Sequence, residues 1–149
     1  MIRKATTADV KAMHKIINEY ASQNRMLARS LYDLYEHIRD FHVYVENNEV
    51  KGCCALHVVW EDLAEVKALA VASDCTAKGI GKQLVLSCLA EAKSITISRV
   101  FALTYVDKFF LKLGFELTSR DALPHKVWSE CINCPKFPDC DEIAVIKNL

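Results

Sequence analysis

The chain carries no net charge, with Lys+Arg and Asp+Glu both at 19. Without a basic excess there is no broad electrostatic footprint for a phosphate backbone, so nucleic-acid binding is not expected. Long apolar runs are missing too. Hydrophobic residues fall in short periodic groups, none near the ~20 residues a bilayer crossing requires, and no membrane role is expected. The N-terminus shows neither the apolar segment nor the cleavage site of a secretory signal, so a cytoplasmic location is the expectation. No repeat, linker or low-complexity stretch divides the 149 residues, which suit one domain with one sizeable core. Seven cysteines is an odd number. Cys53, Cys54 and Cys88 fall in predicted strands or a predicted helix, where free cysteine packs as a small hydrophobe, and a disulfide scaffold is not expected.

What is present reads as alternating short elements. Ile2-Arg3-Lys4-Ala5 is a first strand, and Thr6 or Thr7 caps a helix whose apolar face is Val10, Met13, Ile17, Tyr20 and Ala21. Ser30 caps a second helix with the stripe Leu31, Leu34, Tyr35 and Ile38. Residues 41–46 and 50–59 are strands joined at Asn47-Asn48, a pair that tolerates positive φ. A further strand spans 64–71. The helix that follows carries Ile80, Leu84, Val85, Cys88, Leu89 and Ala92 at steps of three and four. Residues 100–104 are a buried strand, 106–113 a short helix stopped by Gly114, and 115–118 a strand completed as a hairpin by 143–146. This order predicts a mixed α+β layer fold.

Chemistry concentrates where the fourth strand meets the third helix, at Ala77-Lys78-Gly79-Ile80-Gly81-Lys82. Two glycines allow close backbone approach, and a helix start offers unpaired N–H donors and a positive dipole end. Such a turn suits a phosphate or pyrophosphate; an ordinary tight turn is the plainer alternative. A P-loop is excluded, because alignment on Gly81 puts Thr76 at the first glycine and Gln83 at the hydroxyl position. A dinucleotide fold is poorly supported, since this is not the first strand–turn unit with a ribose-binding acid about 20 residues on.

The turn resembles the [QR]-x-x-G-x-[GA] pattern of the GNAT acetyltransferases, read here as Thr76-Ala77-Lys78-Gly79-Ile80-Gly81, with Thr76 departing from Arg or Gln. Arg3-Lys4-Ala5-Thr6 with Asp9-Val10 resembles the family's first strand and helix entry, and Lys112-Leu113-Gly114-Phe115 its K-x-G-F ending. The resemblance runs from Ile2 to about Phe115. Within the family, Leu27-Ala28-Arg29-Ser30, Cys54-Ala55-Leu56-His57, residues 65–71 and residues 100–104 resemble the acetyltransferase domain of N-acetylglutamate synthases, in their short single-domain bacterial form. The resemblance implies a GNAT fold, a mostly antiparallel mixed sheet flanked by helices on both faces. It also implies one acetyltransferase domain over 1–149, with a Cys-containing loop at about 125–141.

Amine acetylation by a thioester needs a held acyl donor, a polarised carbonyl, a deprotonated amine and a protonated leaving thiolate. The resemblance assigns acetyl-CoA as co-substrate. Amides near Leu69 and Val71 would pair with its pantetheine arm like an added strand, and those of Ala77, Lys78, Gly79, Ile80, Gly81 and Lys82 would receive its pyrophosphate. Glu65 resembles the synthase base. Many family members carry a Tyr acid where this chain has Phe110; the synthases resemble this chain in placing a hydroxyl at the end of the preceding strand, so the resemblance implies Thr104 as the acid, with its neighbour Tyr105 the alternative. Arg29 resembles the arginine that grips a substrate carboxylate, Leu27 would offer a main-chain contact, and Lys67 a second cation on the face of Glu65.

The implied activity is acetyl transfer to the α-amino group of an amino acid, with L-glutamate the expected acceptor, opening arginine biosynthesis. Another small amine, a protein N-terminus, or a non-catalytic acyl-CoA-binding module are the alternatives, and a homodimer is left open. Near the C-terminus, Cys131 and Cys134 in C-x-x-C spacing, with Cys140 and His125, leave structural zinc, free thiols or a disulfide open. Lys126 and Lys136 flank this loop, and the resemblance, in which the C-terminal hairpin often closes over the acceptor, implies that they could reach it; the sequence leaves this open.

Overall fold

The first helix begins through a local exchange of hydrogen bonds. Thr6 donates to the Asp9 carboxylate from its backbone N–H, at 2.7 Å, and from its hydroxyl, at 3.2 Å. Arg3 closes a two-point fork on the same carboxylate at 2.7 and 3.0 Å. The guanidinium beside Asp9 holds its carboxyl below the usual carboxylate range. A 3-10 turn over Thr7–Asp9 then leads into α1 (Val10–Ala21).

The computed structural model describes residues 1–76, 78–119, 122–123 and 141–149. It contains two units, Met1–Leu56 with Val66–Glu91, and His57–Glu65 with Ala92–Leu149. In the first unit, β1 (Ile2–Lys4) pairs antiparallel with β2 (Phe41–Glu46), which pairs antiparallel with β3 (Glu49–Trp60). The turn is made by Asn47 and Asn48, at φ 52° and 63°, the left-handed pair a two-residue hairpin needs. One β3 residue is extra between the pairs Tyr44–Gly52 and Val45–Val50. The core is Val10, Met13, Ile16 and Ile17 of α1 with Leu34, Phe41, Val43, Cys53, Ala55, Ala68 and Ala70. Each large aliphatic side chain there contributes about 1.5–3 kcal/mol.

The second helix departs from expectation. α2 (Leu31–Glu36) has six residues and is capped by Ser30, whose hydroxyl accepts from Asp33 N–H. Of the expected stripe only Leu34 is buried; Leu31 and Tyr35 are 38 % and 41 % exposed. A helix of less than two turns presents little more than one residue to a core, and the 3-10 turn Ile38–Asp40 resets the phase so that only Ile38 packs inward again. α3 (Ile80–Ser94) is longer, and its expected stripe, Ile80, Leu84, Val85, Cys88, Leu89 and Ala92, is buried at every position.

In the second unit, the opening residues of β4 (Leu63–Val71) pair parallel with β5 (Arg99–Thr104). β5 pairs antiparallel with β7 (Ile143–Asn148) along its whole length, and β7 pairs with β6 (Glu116–Leu117). Leu63, Phe101, Leu123 and Ala144 form this unit's core. α4 (Asp107–Lys112) buries Phe110, which meets Phe109 and Phe115 edge-on at 5.1 Å each. The strand order is β1-β2-β3-β4-β5-β7-β6, so the expected mostly antiparallel α+β sheet flanked by helices is present. The C-terminal strand inserts between β5 and β6, a placement that local pattern does not encode.

Gly52 sets how closely α3 approaches β3. A Cβ there would lie 3.1 Å from Leu84 Cδ1, 3.3 Å from the Ala70 carbonyl oxygen and 3.3 Å from Ile80 Cγ2. Gly52→Ala should therefore lower the stability of the protein by about 1–3 kcal/mol, the usual cost of overpacking. Urea denaturation followed by circular dichroism reads this; an unchanged midpoint would mean the helix yields freely.

Candidate active site

Ala68 on β4 has φ 55°, a left-handed conformation that costs an alanine about 1–2 kcal/mol. Such a residue inside a strand bends it and re-aims the groups that follow. The parallel ladder to β5 takes in Leu63, Ala64 and Glu65, before this step. Leu69 and Val71, predicted to offer amides to an acyl donor, come after it. The Val71 carbonyl accepts from the Tyr20 hydroxyl at 2.5 Å, and Ala72 N–H donates to Lys51 O at 2.7 Å, which fixes the strand's end. The sequence pattern assigns Tyr20 to packing alone; its ring lies half-buried, and its polar tip holds β4.

The glycine turn leads directly into α3. Gly79 adopts φ 74°, which only glycine takes without strain. Among the described residues the helical bonding of α3 begins from Gln83 N–H to the Gly79 carbonyl at 3.2 Å, and Ile80, Gly81 and Lys82 stand in the first turn, where a helix leaves its N–H groups without intrahelical partners. Lys78 lies 3.7 Å from Glu46 in an ion pair. Ala77, also predicted here, lies outside the described residues.

Arg29 immediately precedes the Ser30 cap. Its Nη1 donates to Asp33 Oδ2 at 2.9 Å, one turn into α2, and the side chain is mostly buried. Asn18 of α1 accepts from Arg29 N–H and donates to Arg29 O, both at 3.2 Å. Leu27 is partly exposed in the segment before it, and Lys67 is half-buried on β4. Arg29, Leu27, Lys67, Leu69, Val71 and the glycine turn all belong to the first unit.

Glu65 and Thr104 belong to the second. Glu65 is only 3 % exposed and stands opposite Phe101 at the end of the parallel ladder. Thr104, 8 % exposed, closes β5, and its hydroxyl oxygen accepts from Val106 N–H at 2.9 Å. With its oxygen so engaged, the hydroxyl's hydrogen is directed elsewhere. The neighbouring Tyr105 donates its own hydroxyl hydrogen to Asp141 at 2.6 Å. The ring of Phe110, which has no phenolic oxygen, is packed against Phe109 and Phe115.

A polar chain in the first unit has no counterpart in the sequence reading of its cysteines. Cys88 lies 3.5 Å from His42 Nδ1; His42 Nε2 lies 3.6 Å from Glu91, which Lys4 binds at 2.9 and 3.0 Å. Donation from Cys54, then from His42, holds Cys88 below the ordinary thiol range against the effect of burial; Cys54 is pushed up correspondingly. Burial pushes Cys53 up to about 12. All three are fully buried, as expected. Among the described residues no group of three or more His, Cys, Asp or Glu could hold a metal. Cys131, Cys134, Cys140, His125, Lys126 and Lys136 lie outside the described residues, and no described helix is long and apolar enough to cross a membrane.

The chain is similar to known proteins along its whole length. It is 40 % identical over 148 residues, 99 % of this chain and 96 % of the other, to an uncharacterised N-acetyltransferase of Chlorobaculum tepidum. It is 37 % identical over 133 residues, 87 % of this chain and 76 % of the other, to the amino-acid acetyltransferase of Mycobacterium tuberculosis. Its structure superposes with TM-score 0.88 and 26 % identity on N-acetylglutamate synthase from Neisseria gonorrhoeae complexed with coenzyme A and N-acetyl-glutamate, covering all of this chain and 35 % of that one. The profile of the acetyltransferase (GNAT) family matches residues 10–115, and the chain belongs to that family. It is an acetyl-CoA-dependent N-acetyltransferase.

The left-handed step on β4 is testable through Ala68. Ala68→Gly removes the clash of the β-carbon but frees the unfolded chain, so stability should change by less than about 1 kcal/mol. Ala68→Val puts a branched side chain where φ is positive and should cost about 2 kcal/mol or more. Thermal unfolding of both variants checks this. Equal melting temperatures for the two would mean the backbone relaxes to an ordinary strand.

Proposed function

We propose that the chain transfers the acetyl group of acetyl-CoA to the α-amino group of an amino acid, L-glutamate first among acceptors, and so opens arginine biosynthesis. The observation that carries this reading is the buried carboxylate of Glu65 on β4, in a chain related over most of its length to an amino-acid acetyltransferase. In the proposed reaction Glu65 takes a proton from the substrate ammonium, directly or through one water. The free amine then attacks the thioester carbonyl, whose oxygen is stabilised by main-chain N–H of the Leu69–Val71 segment. As the carbon–sulfur bond breaks, the second surplus proton of the attacking nitrogen passes to the departing thiolate, with the Thr104 hydroxyl relaying it, so that Thr104 ends as it began. Thr104 is favoured over Tyr105 because the phenol already donates to Asp141.

The amides of Gly79, Ile80, Gly81 and Lys82, with Ala77 and Lys78 beside them, receive the pyrophosphate in this reading. Arg29 grips an acceptor carboxylate, with Leu27 supplying a main-chain contact and Lys67 a second cation. The guanidinium has five donors and, among the described residues, Asp33 engages one nitrogen, which would leave a face of the fork for a substrate.

An acceptor screen tests the assignment directly. Purified protein with acetyl-CoA and each common amino acid, followed by free-thiol release, should show its highest kcat/KM with L-glutamate. Activity confined to amines that lack an α-carboxylate would refute the reading.

The proton transfer has its own signature. Glu65→Gln is nearly isosteric and should leave acetyl-CoA affinity in place while kcat falls about 10²–10⁴-fold, the worth of a general base. That loss should shrink at high pH, where more of the amine arrives deprotonated. Thr104→Val should slow the reaction with little rescue by pH. Profiles of kcat/KM against pH separate the two, and a near-normal rate for Glu65→Gln at neutral pH would remove it as the base.

A further inference from the structure

Arg29 lies between two helices, and a side chain from each of them fixes its position. Residues 22–30 separate α1 from α2. The carboxamide of Asn18, one turn before the end of α1, reaches across to this segment. Its Oδ1 accepts from Arg29 N–H and its Nδ2 donates to Arg29 O, each at 3.2 Å, while Nδ2 also donates to His14 O at 2.9 Å. The side-chain amide thus pairs with both main-chain groups of one residue, as a neighbouring strand would. Asp33 orients the other end, holding Nη1 at 2.9 Å. Asn18 therefore fixes where the Arg29 side chain starts, and Asp33 fixes where it points. Both are half-buried partners on helices, which are stiffer supports than the intervening loop.

We infer that Asn18 is a positioning residue for the acceptor site, acting through the main chain of Arg29; this rests on the proposed reading in which Arg29 grips an acceptor carboxylate. A carboxylate bound by a planar fork is sensitive to ångström shifts in its origin. An asparagine whose three hydrogen bonds all end on backbone carbonyl or amide groups has no chemical part of its own in acetyl transfer. Its contribution should appear in acceptor binding alone.

The experiment is a double-mutant cycle read in L-glutamate and acetyl-CoA kinetics. Asn18→Ala should raise the L-glutamate KM about tenfold, the worth of two modest hydrogen bonds, and leave kcat and the acetyl-CoA KM within about twofold. Asn18→Asp keeps the acceptor for Arg29 N–H and loses both donors, so its KM should fall between the two. In an Arg29→Ala background, Asn18→Ala should add nothing further, because both changes remove the same contact. Melting temperatures of each variant show whether it is folded, and Asn18→Asp supplies the comparison should the alanine variant unfold. If Arg29→Ala raises the glutamate KM while neither Asn18 variant does, or if the two effects multiply, the inference is wrong and the reading survives. If Arg29→Ala leaves the glutamate KM unchanged, the reading of Arg29 fails and the inference goes with it.

Discussion

One alanine in an unfavourable conformation governs what β4 can do. A regular strand spends its N–H and C=O groups on its neighbours, and a strand whose groups are all spent has nothing left for a ligand. Ala68, at φ 55°, interrupts that regularity within the core, with its carbonyl oxygen 3.6 Å from Cys53 Sγ. Before it the strand keeps parallel register with β5, and beyond it Val71 is held by Tyr20 from α1. The local cost of about 1–2 kcal/mol is small beside the burial of Val10, Met13, Ile17, Phe41 and Val43 around it. Packing can therefore hold a conformation that the residue itself disfavours.

The sequence disclosed the elements whose signals are local and long. The six expected positions on α3 are all buried because fifteen residues give four turns in which a periodic stripe must face one way. The Asn47-Asn48 turn was legible because asparagine accepts positive φ and so marks the place where it is needed. Ala68 adopts the same conformation with no such mark, and nothing in an alanine between Lys67 and Leu69 announces it. α2 was overread, since two turns do not sustain a stripe. The expected hairpin of β6 with β7 is present, but the place of β7 beside β5 was illegible for a different reason. It is decided by pairing across some forty residues, which periodicity cannot see.

The candidate site divides in the same way. Its glycine turn could be read from chemistry alone, because Gly79 precedes and Gly81 opens a helix that the pattern identifies. Glu65, Thr104 and Arg29 were legible only through resemblance, as a lone acid, hydroxyl or guanidinium has no pattern of its own. The supporting contacts were not legible at all. Asn18 with Arg29, Tyr20 with Val71 and Tyr105 with Asp141 join residues 11, 51 and 36 positions apart. Phe110 shows how a departure from expectation is absorbed: the ring that lacks a phenolic oxygen completes an aromatic trio with Phe109 and Phe115.

The sealed thiols of the first unit have a consequence for how motion in this protein can be observed. Cys53, Cys54 and Cys88 are completely buried, so a thiol reagent in solution reaches them only when the core opens. In the closed core burial holds the Cys53 proton up to about 12, while Cys54 and His42 hold Cys88 below the ordinary thiol range; opening removes both causes and leaves two ordinary exposed thiols. Labelling of Cys88 thus reports how often the core opens at α3, and labelling of Cys53 how often it opens at β3. The protein carries its own reporters of breathing, with no foreign probe inserted.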